Sequence, residues 1–309
     1  MKNNESSMTS LVSAFSRAFH VKEDLPIIFN DFIAKDFLSP EEYQAISTNM
    51  ANGITFFSPK MAEQLKGNHT AILKWVTHIQ LSPTPLARAA YAEKVVLNEL
   101  KLGTQQYVIL GAGLDTFAWR YPILTDVTIF EIDHPSTQQF KLERLQQSGY
   151  ELPSHLKLVA MDFTKELSLD KLIDAGFDPS KKTVFSLLGV TYYLTAIEFQ
   201  QMLHVFFKDL PQGSSIVLDF ADEHLFTKPG IFNRVQNMVQ MAQAAGEPMK
   251  FATSLSDLEK LLSKEQLLIY EHLSPQDIQN QFFANRHDDL QAFETINYIH
   301  AVKTNSTLN

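Results

Sequence analysis

The chain has 309 residues, 45% of them hydrophobic and 20% charged, with a formal net charge of −9. That length supplies a sizeable core for one large or two small domains. The acidic balance argues against a nucleic-acid partner, which needs a basic surface. The absence of cysteine excludes disulfides, thiolate metal sites and a cysteine nucleophile.

Residues 1–10 are polar and expected to fray. They lack the apolar core of a signal peptide, and no apolar stretch in the chain approaches a membrane span. The expectation is a cytoplasmic protein with no membrane partner. From Leu11 to Leu100 the pattern is helical. Leu11, Ala14, Phe15, Ala18 and Phe19 repeat at helical spacing. Ser39-Pro40-Glu41-Glu42 reads as a capped helix start. Leu81-Ser82-Pro83-Thr84-Pro85 reads as a break, and Leu86–Leu100 as one helix after it.

From residue 105 short apolar runs alternate with helical segments. The runs are Tyr107–Leu110, Val127–Ile132, Leu156–Met161, Val184–Val190 and Ile216–Phe220. Between them lie helical patterns over Leu114–Arg120, Ser136–Gln147, Leu167–Ala175 and Ala196–Leu210. Such alternation implies a parallel sheet covered on both faces. Residues 223–250 read as an insertion containing a helix over Ile231–Ala245. A helix over Ser254–Ser263, strands over Leu267–Leu273 and Thr295–Lys303, and a helical stretch over Pro275–Asn285 complete the chain. The two late strands could pair antiparallel or parallel. Residues 1–100 are thus expected as a helical region packed on a core of residues 101–309, together one structural domain.

The chemistry concentrates after the first run. Gly111-Ala112-Gly113-Leu114-Asp115-Thr116 follows it, and Glu131 and Asp133 end the next. A glycine turn followed by an acid at the neighbouring strand tip suits a nucleoside-bearing cofactor. Thr116 stands where a pyrophosphate-binding turn has its third glycine, which disfavours NAD and FAD. S-adenosyl-L-methionine has no phosphate and needs only close backbone approach, an acid for the ribose and polar groups at the adenine. Asp162 ends a third run, and Asp219 and Asp222 end a later one. In a parallel sheet Glu131, Asp133, Asp162 and Gly111 line one crevice. The ten His are never spaced as a local pair on a helix or turn, so no metal site is expected.

VILGAGLDTFAWR, FEIDHP, Asp162-Phe163 and LLGVTYYLT resemble the leucine carboxyl methyltransferase family, and its bacterial O-methyltransferase branch most closely. The helical N-terminal part, an Arg in the helix before the first strand, and Gly246-Glu247-Pro248 extend the resemblance over almost the whole chain. It implies a class I, Rossmann-like α/β methyltransferase that uses S-adenosyl-L-methionine. The sheet would be seven-stranded and mostly parallel, with one antiparallel strand and helices on both faces. By position, Arg88 would pair with the methionine carboxylate. Gly111, with Ala112 and Gly113, would abut the methionine part. Asp133, with Glu131 beside it, would face the ribose, and Asp162 and Phe163 would hold the adenine. Leu188 stands where many members carry Glu, so a polar contact near the methionine is supplied elsewhere or absent.

Tyr192 and Tyr193 follow the fourth run and are candidates to line the substrate. The expected reaction is methyl transfer to an oxygen of a small molecule or a terminal carboxylate. A carboxylate needs no general base, whereas a phenol or alcohol usually does, and the nearest candidates for one are His134 and His224. The alternatives are a non-catalytic methyltransferase-fold protein that binds a partner, and an NAD-dependent oxidoreductase.

Overall fold

The computed structural model describes residues 8–165 and 167–304. The expectation for residues 1–7 lies outside these, while Met8, Thr9 and Ser10 already belong to the first helix, Met8–Glu23. Seven strands form one sheet: β1 (Gln106–Leu110), β2 (Thr128–Asp133), β3 (Leu156–Ala160), β4 (Thr183–Leu187), β5 (Ser215–Ala221), β6 (Leu267–Leu273) and β7 (Ile296–Lys303). Their order is β3-β2-β1-β4-β5-β7-β6. The first five run parallel, and β7 is antiparallel to both β5 and β6. The helix between β6 and β7 is one short turn from Pro275 to Ile278 continued as a π turn over Gln279–Phe283. The chain after β6 therefore returns down the sheet as an antiparallel strand.

Alternation along the strands divides the core into two layers. Tyr107, Ile109, Ile129, Val184 and Val217 face one side, against Leu86, Tyr91, Val95 and Val96 of the helix Pro83–Lys101. Val108, Leu110, Phe130, Phe185, Ile216 and Leu218 face the other, against Phe199, Met202, Leu203, Phe206 and Phe207 of the helix Ala196–Phe207. The first helix packs apart from the sheet, its Phe15 and Phe19 joining Phe37, Leu81, Leu114 and Leu145.

Several boundaries differ from the sequence reading, each for a local reason. Ser39 caps its helix as expected, through a reciprocal bond pair with Glu42. Residues 81–85 are not a break. A π turn over Thr77–Leu81 leads directly into Pro83–Lys101, and both prolines fall in its first turn, where no amide is needed. The fourth strand ends at Leu187 rather than Val190, because Gly189 turns the chain at φ +70°. Only Phe117–Arg120 of the expected Leu114–Arg120 helix forms, since the Asp115 carboxylate caps Phe117 N from a loop position, 2.7 Å away. The helix of the insertion starts at Arg234, after left-handed Phe232 and Asn233.

Candidate active site

A cleft of about 530 Å3 opens at the C-terminal ends of the parallel strands, a volume in the range of small-molecule sites. Strand register brings its walls level. Leu110 pairs with Ile132 on one side and Leu187 on the other, and Asp133 pairs with Ala160. The sheet order reverses between β1 and β4, where ligands collect in open α/β sheets. Gly111 sits at that point with φ +73°, and a Cβ there would overlap the Val190 side chain. The amides of Gly111 and Ala112 both donate to Ile132 O, at 2.8 and 3.1 Å. The Gly113 amide donates to Asp133 Oδ2 at 2.6 Å. All three amides of the turn are thus committed inside the protein.

Asp133 sits at the cleft wall with its other oxygen accepting from His134 N at 2.6 Å. Burial pushes its carboxyl up from the usual range, against the two backbone donors that favour its charge. Glu131 is two residues back on the same strand face but does not line the cleft. It is buried, and its Oε2 accepts from Lys141 Nζ at 2.5 Å. The sequence reading, which set Glu131 beside Asp133 at the ribose, is corrected here: Asp133 reaches the cleft, and Glu131 stands behind it, held by Lys141. Asp162 and Phe163 both line the cleft. The Asp162 carboxylate also caps its own turn, accepting from Thr164 N and Oγ1 at 3.0 and 2.7 Å, with Lys165 Nζ 3.0 Å away. Partial burial raises this carboxyl, but those bonds outweigh it and hold it at about 2.

The β4 side carries a second network. Arg88 comes from the helix Pro83–Lys101 and lines the cleft; its Nη1 is 3.3 Å from Asp219 Oδ2. Asp219, on β5, is fully buried and also accepts from Gly189 N at 2.6 Å and from the Tyr192 hydroxyl. A Cβ on Gly189 would overlap the Arg88 guanidinium, so that glycine makes room for the cation. Leu188 and Tyr193 line the cleft. Tyr192 does not: burial and Asp219 push its phenol well above its ordinary value, and it serves as a strut for Asp219. This corrects its reading as a substrate-lining group. Of the two histidines considered as bases, His134 lines the cleft with its Nδ1 2.8 Å from Ser136 Oγ. His224 is exposed and outside it.

The sequence reading assigned no site role to the first helix, yet Thr9, Ser10, Ser13 and Arg17 line the cleft. Arg17 donates to Leu114 O at 2.8 Å and pairs with Asp31 at 3.3 Å, which ties the helix to the glycine loop. Thr9 Oγ1 donates to Glu247 Oε2 at 2.5 Å, across the cleft mouth. Glu247 was visible only as part of a motif, and Asp219 only as an acid at a strand end. Thr9, Ser10 and Ser13 look like an ordinary solvated helix face and gave no signal.

The profile of the leucine carboxyl methyltransferase family matches residues 10–207. The chain is 56% identical over 304 residues to YktD of Bacillus subtilis (strain 168), covering 98% of this chain and 100% of the relative. YktD is provisionally named an S-adenosyl-L-methionine-dependent methyltransferase. A similarly named Mycobacterium tuberculosis (strain ATCC 25618 / H37Rv) protein is 28% identical over 263 residues, 84% of this chain and 78% of the relative. Among solved structures, a DUF574 family protein from Streptomyces avermitilis superposes with a TM-score of 0.59 at 12% identity, covering 98% of this chain and 99% of the other. A Thermobifida fusca structure, provisionally titled a methyltransferase, gives 0.54 at 11% identity, covering 98% and 97%. At those identities the two structures speak to fold alone.

Proposed function

Because this chain belongs to the leucine carboxyl methyltransferase family, we propose that it methylates an oxygen of a small molecule or terminal group, with a carboxylate as acceptor. It is an S-adenosyl-L-methionine-dependent methyltransferase. The glycine turn suits that cofactor, because its three amides are already bonded within the protein and none remains for a pyrophosphate. When bound, S-adenosyl-L-methionine supplies an activated methyl group on a sulfonium.

The residues of the cleft then have distinct tasks. Arg88, charged and steadied by Asp219, takes the methionine carboxylate. Gly111, Ala112 and Gly113 allow close approach of the methionine part, with Leu188 as an apolar wall. Asp133 accepts from the ribose, and Asp162 and Phe163 bound the adenine. Tyr193 lines the way to the acceptor. Because the methyl group arrives activated, the protein's remaining work is to align the acceptor and exclude water.

One observation carries the preference for a carboxylate. Asp115, Asp133, His134, Asp162 and Glu247 all line the cleft, and each already holds a hydrogen bond inside the protein. None stands free as a general base, and a carboxylate needs none at neutral pH. The first test is a thermal melt with S-adenosyl-L-methionine, S-adenosylhomocysteine, NAD and NADP. A ligand at a hundredfold its Kd stabilises by about 2.7 kcal/mol. The second is turnover on matched carboxylic acids, phenols and alcohols. Turnover of phenols with none of acids would overturn the carboxylate assignment.

A further inference from the structure

Behind the cleft lies a buried pair to which the proposed reaction gives no task. Lys141 comes from the helix Pro135–Gln147, and its side chain is 1% exposed, as is that of Glu131. Its ammonium donates to Glu131 Oε2 at 2.5 Å and to Asp115 O at 2.7 Å, and lies 5.1 Å from the centre of the Trp119 ring. Asp115 lines the cleft at the end of the glycine loop. One cation thus fastens that loop to the strand that carries Asp133. The charged groups facing Glu131 are Lys141 from the helix, Asp115 from the loop after β1, and Asp133 farther along β2. Glu131 Oε1 is buried with no hydrogen-bond partner.

We propose that Glu131 and Lys141 are positioning residues whose net charge makes the site discriminate between the cationic cofactor and its uncharged product. The inference rests on the cofactor assignment above. S-adenosyl-L-methionine carries one positive charge more than S-adenosylhomocysteine, at the sulfonium. With Glu131 ionised, the pair is neutral and the nearby Asp133 and Asp115 favour the cation. With Glu131 protonated, Lys141 stands uncompensated behind the site and opposes it. The product, lacking that charge, responds less.

Burial raises the Glu131 carboxyl and Lys141 lowers it, leaving it at about 7, above the ordinary 4.5. Glu131 therefore changes charge in the neutral range. The sign follows from linkage: a folded-state value above the unfolded one means that ionising Glu131 costs stability as pH rises through about 7. The ionised form, the costly one, is the one that holds the cation.

Calorimetric titration of both ligands between about pH 6 and pH 8 tests this without turnover. In the wild-type protein the affinity for S-adenosyl-L-methionine should rise about fivefold over that range, while that for S-adenosylhomocysteine changes less than about twofold. Glu131→Gln should leave the cation weakly held at every pH, with a flat profile. The double variant Glu131→Gln with Lys141→Met removes both charges. It should restore the preference for the cation and stay flat, which a merely structural pair would not do. Lys141→Arg should keep the wild-type profile. Parallel profiles for the two ligands, or a slope that survives Glu131→Gln, would overturn the inference and leave the cofactor assignment standing. A wild-type protein that binds neither ligand sinks the assignment itself.

Discussion

Gly189 shows how one missing side chain arranges the site. It turns the chain at φ +70° after β4, its amide is fixed by Asp219, and a Cβ would stand 2.6 Å from Arg88 Nη2. Gly189→Ala should cost about 1–2 kcal/mol for a left-handed alanine. The guanidinium is the end of a flexible side chain, so it moves aside and the protein folds. The expected result is a modest drop in Tm and about a tenfold loss of S-adenosyl-L-methionine affinity, the worth of one charge-assisted bond. Unchanged affinity by calorimetry would remove Arg88 from the methionine carboxylate. The same scale shows why the sequence put Glu131 at the ribose beside Asp133. Both acids lie on one strand face, and what separates them is Lys141, which a sequence presents as one more polar residue on a surface helix.

At the scale of elements, the parallel strands were legible because both faces are buried, giving unbroken apolar runs such as Val108-Ile109-Leu110. The acids at their tips were legible for the same reason: in a parallel sheet, position along the chain fixes position at the edge. What escaped was set by backbone geometry with no compositional mark. The left-handed pair Phe232 and Asn233 and the π turn before Pro83 are examples. The first helix escaped for another reason. Its apolar stripe was plain, but nothing in the sequence said that its polar stripe faces a cleft. Phe15 on the apolar stripe is fully buried, with ring contacts to Phe19 and Tyr43. Phe15→Ala should cost about 3–5 kcal/mol by thermal or chemical unfolding. It should also weaken cofactor binding, because Ser10, Ser13 and Arg17 ride on the same helix. Lys22→Ala, at an exposed position of that helix, should change neither. Lost stability with intact affinity would mean that the helix covers the cleft without contributing to it.

For the whole molecule, the consequence is that one ligand touches elements far apart in the chain. The cleft draws on the first helix, the loops after β1, β2, β3 and β4, and the segment around Gly246-Glu247-Pro248 beyond β5. Thr9 with Glu247 joins the ends of that list directly, and Arg88 with Asp219 ties the helix Pro83–Lys101, which also lines the cleft, to β5. The edge strand β6 lies beyond β7, on the other side of β5 from the cleft loops. Binding should therefore slow exchange in several separated segments together, leaving that edge as it was. Amide hydrogen exchange with and without S-adenosylhomocysteine measures this. Protection is expected at residues 9–17, 111–115, 188–193 and 246–250, with none gained over Leu267–Leu273. Protection confined to the strand-tip loops, with residues 9–17 and 246–250 unchanged, would mean that the cofactor is held by the sheet edge alone. The first helix and the segment after β5 would then belong to the acceptor's side of the cleft.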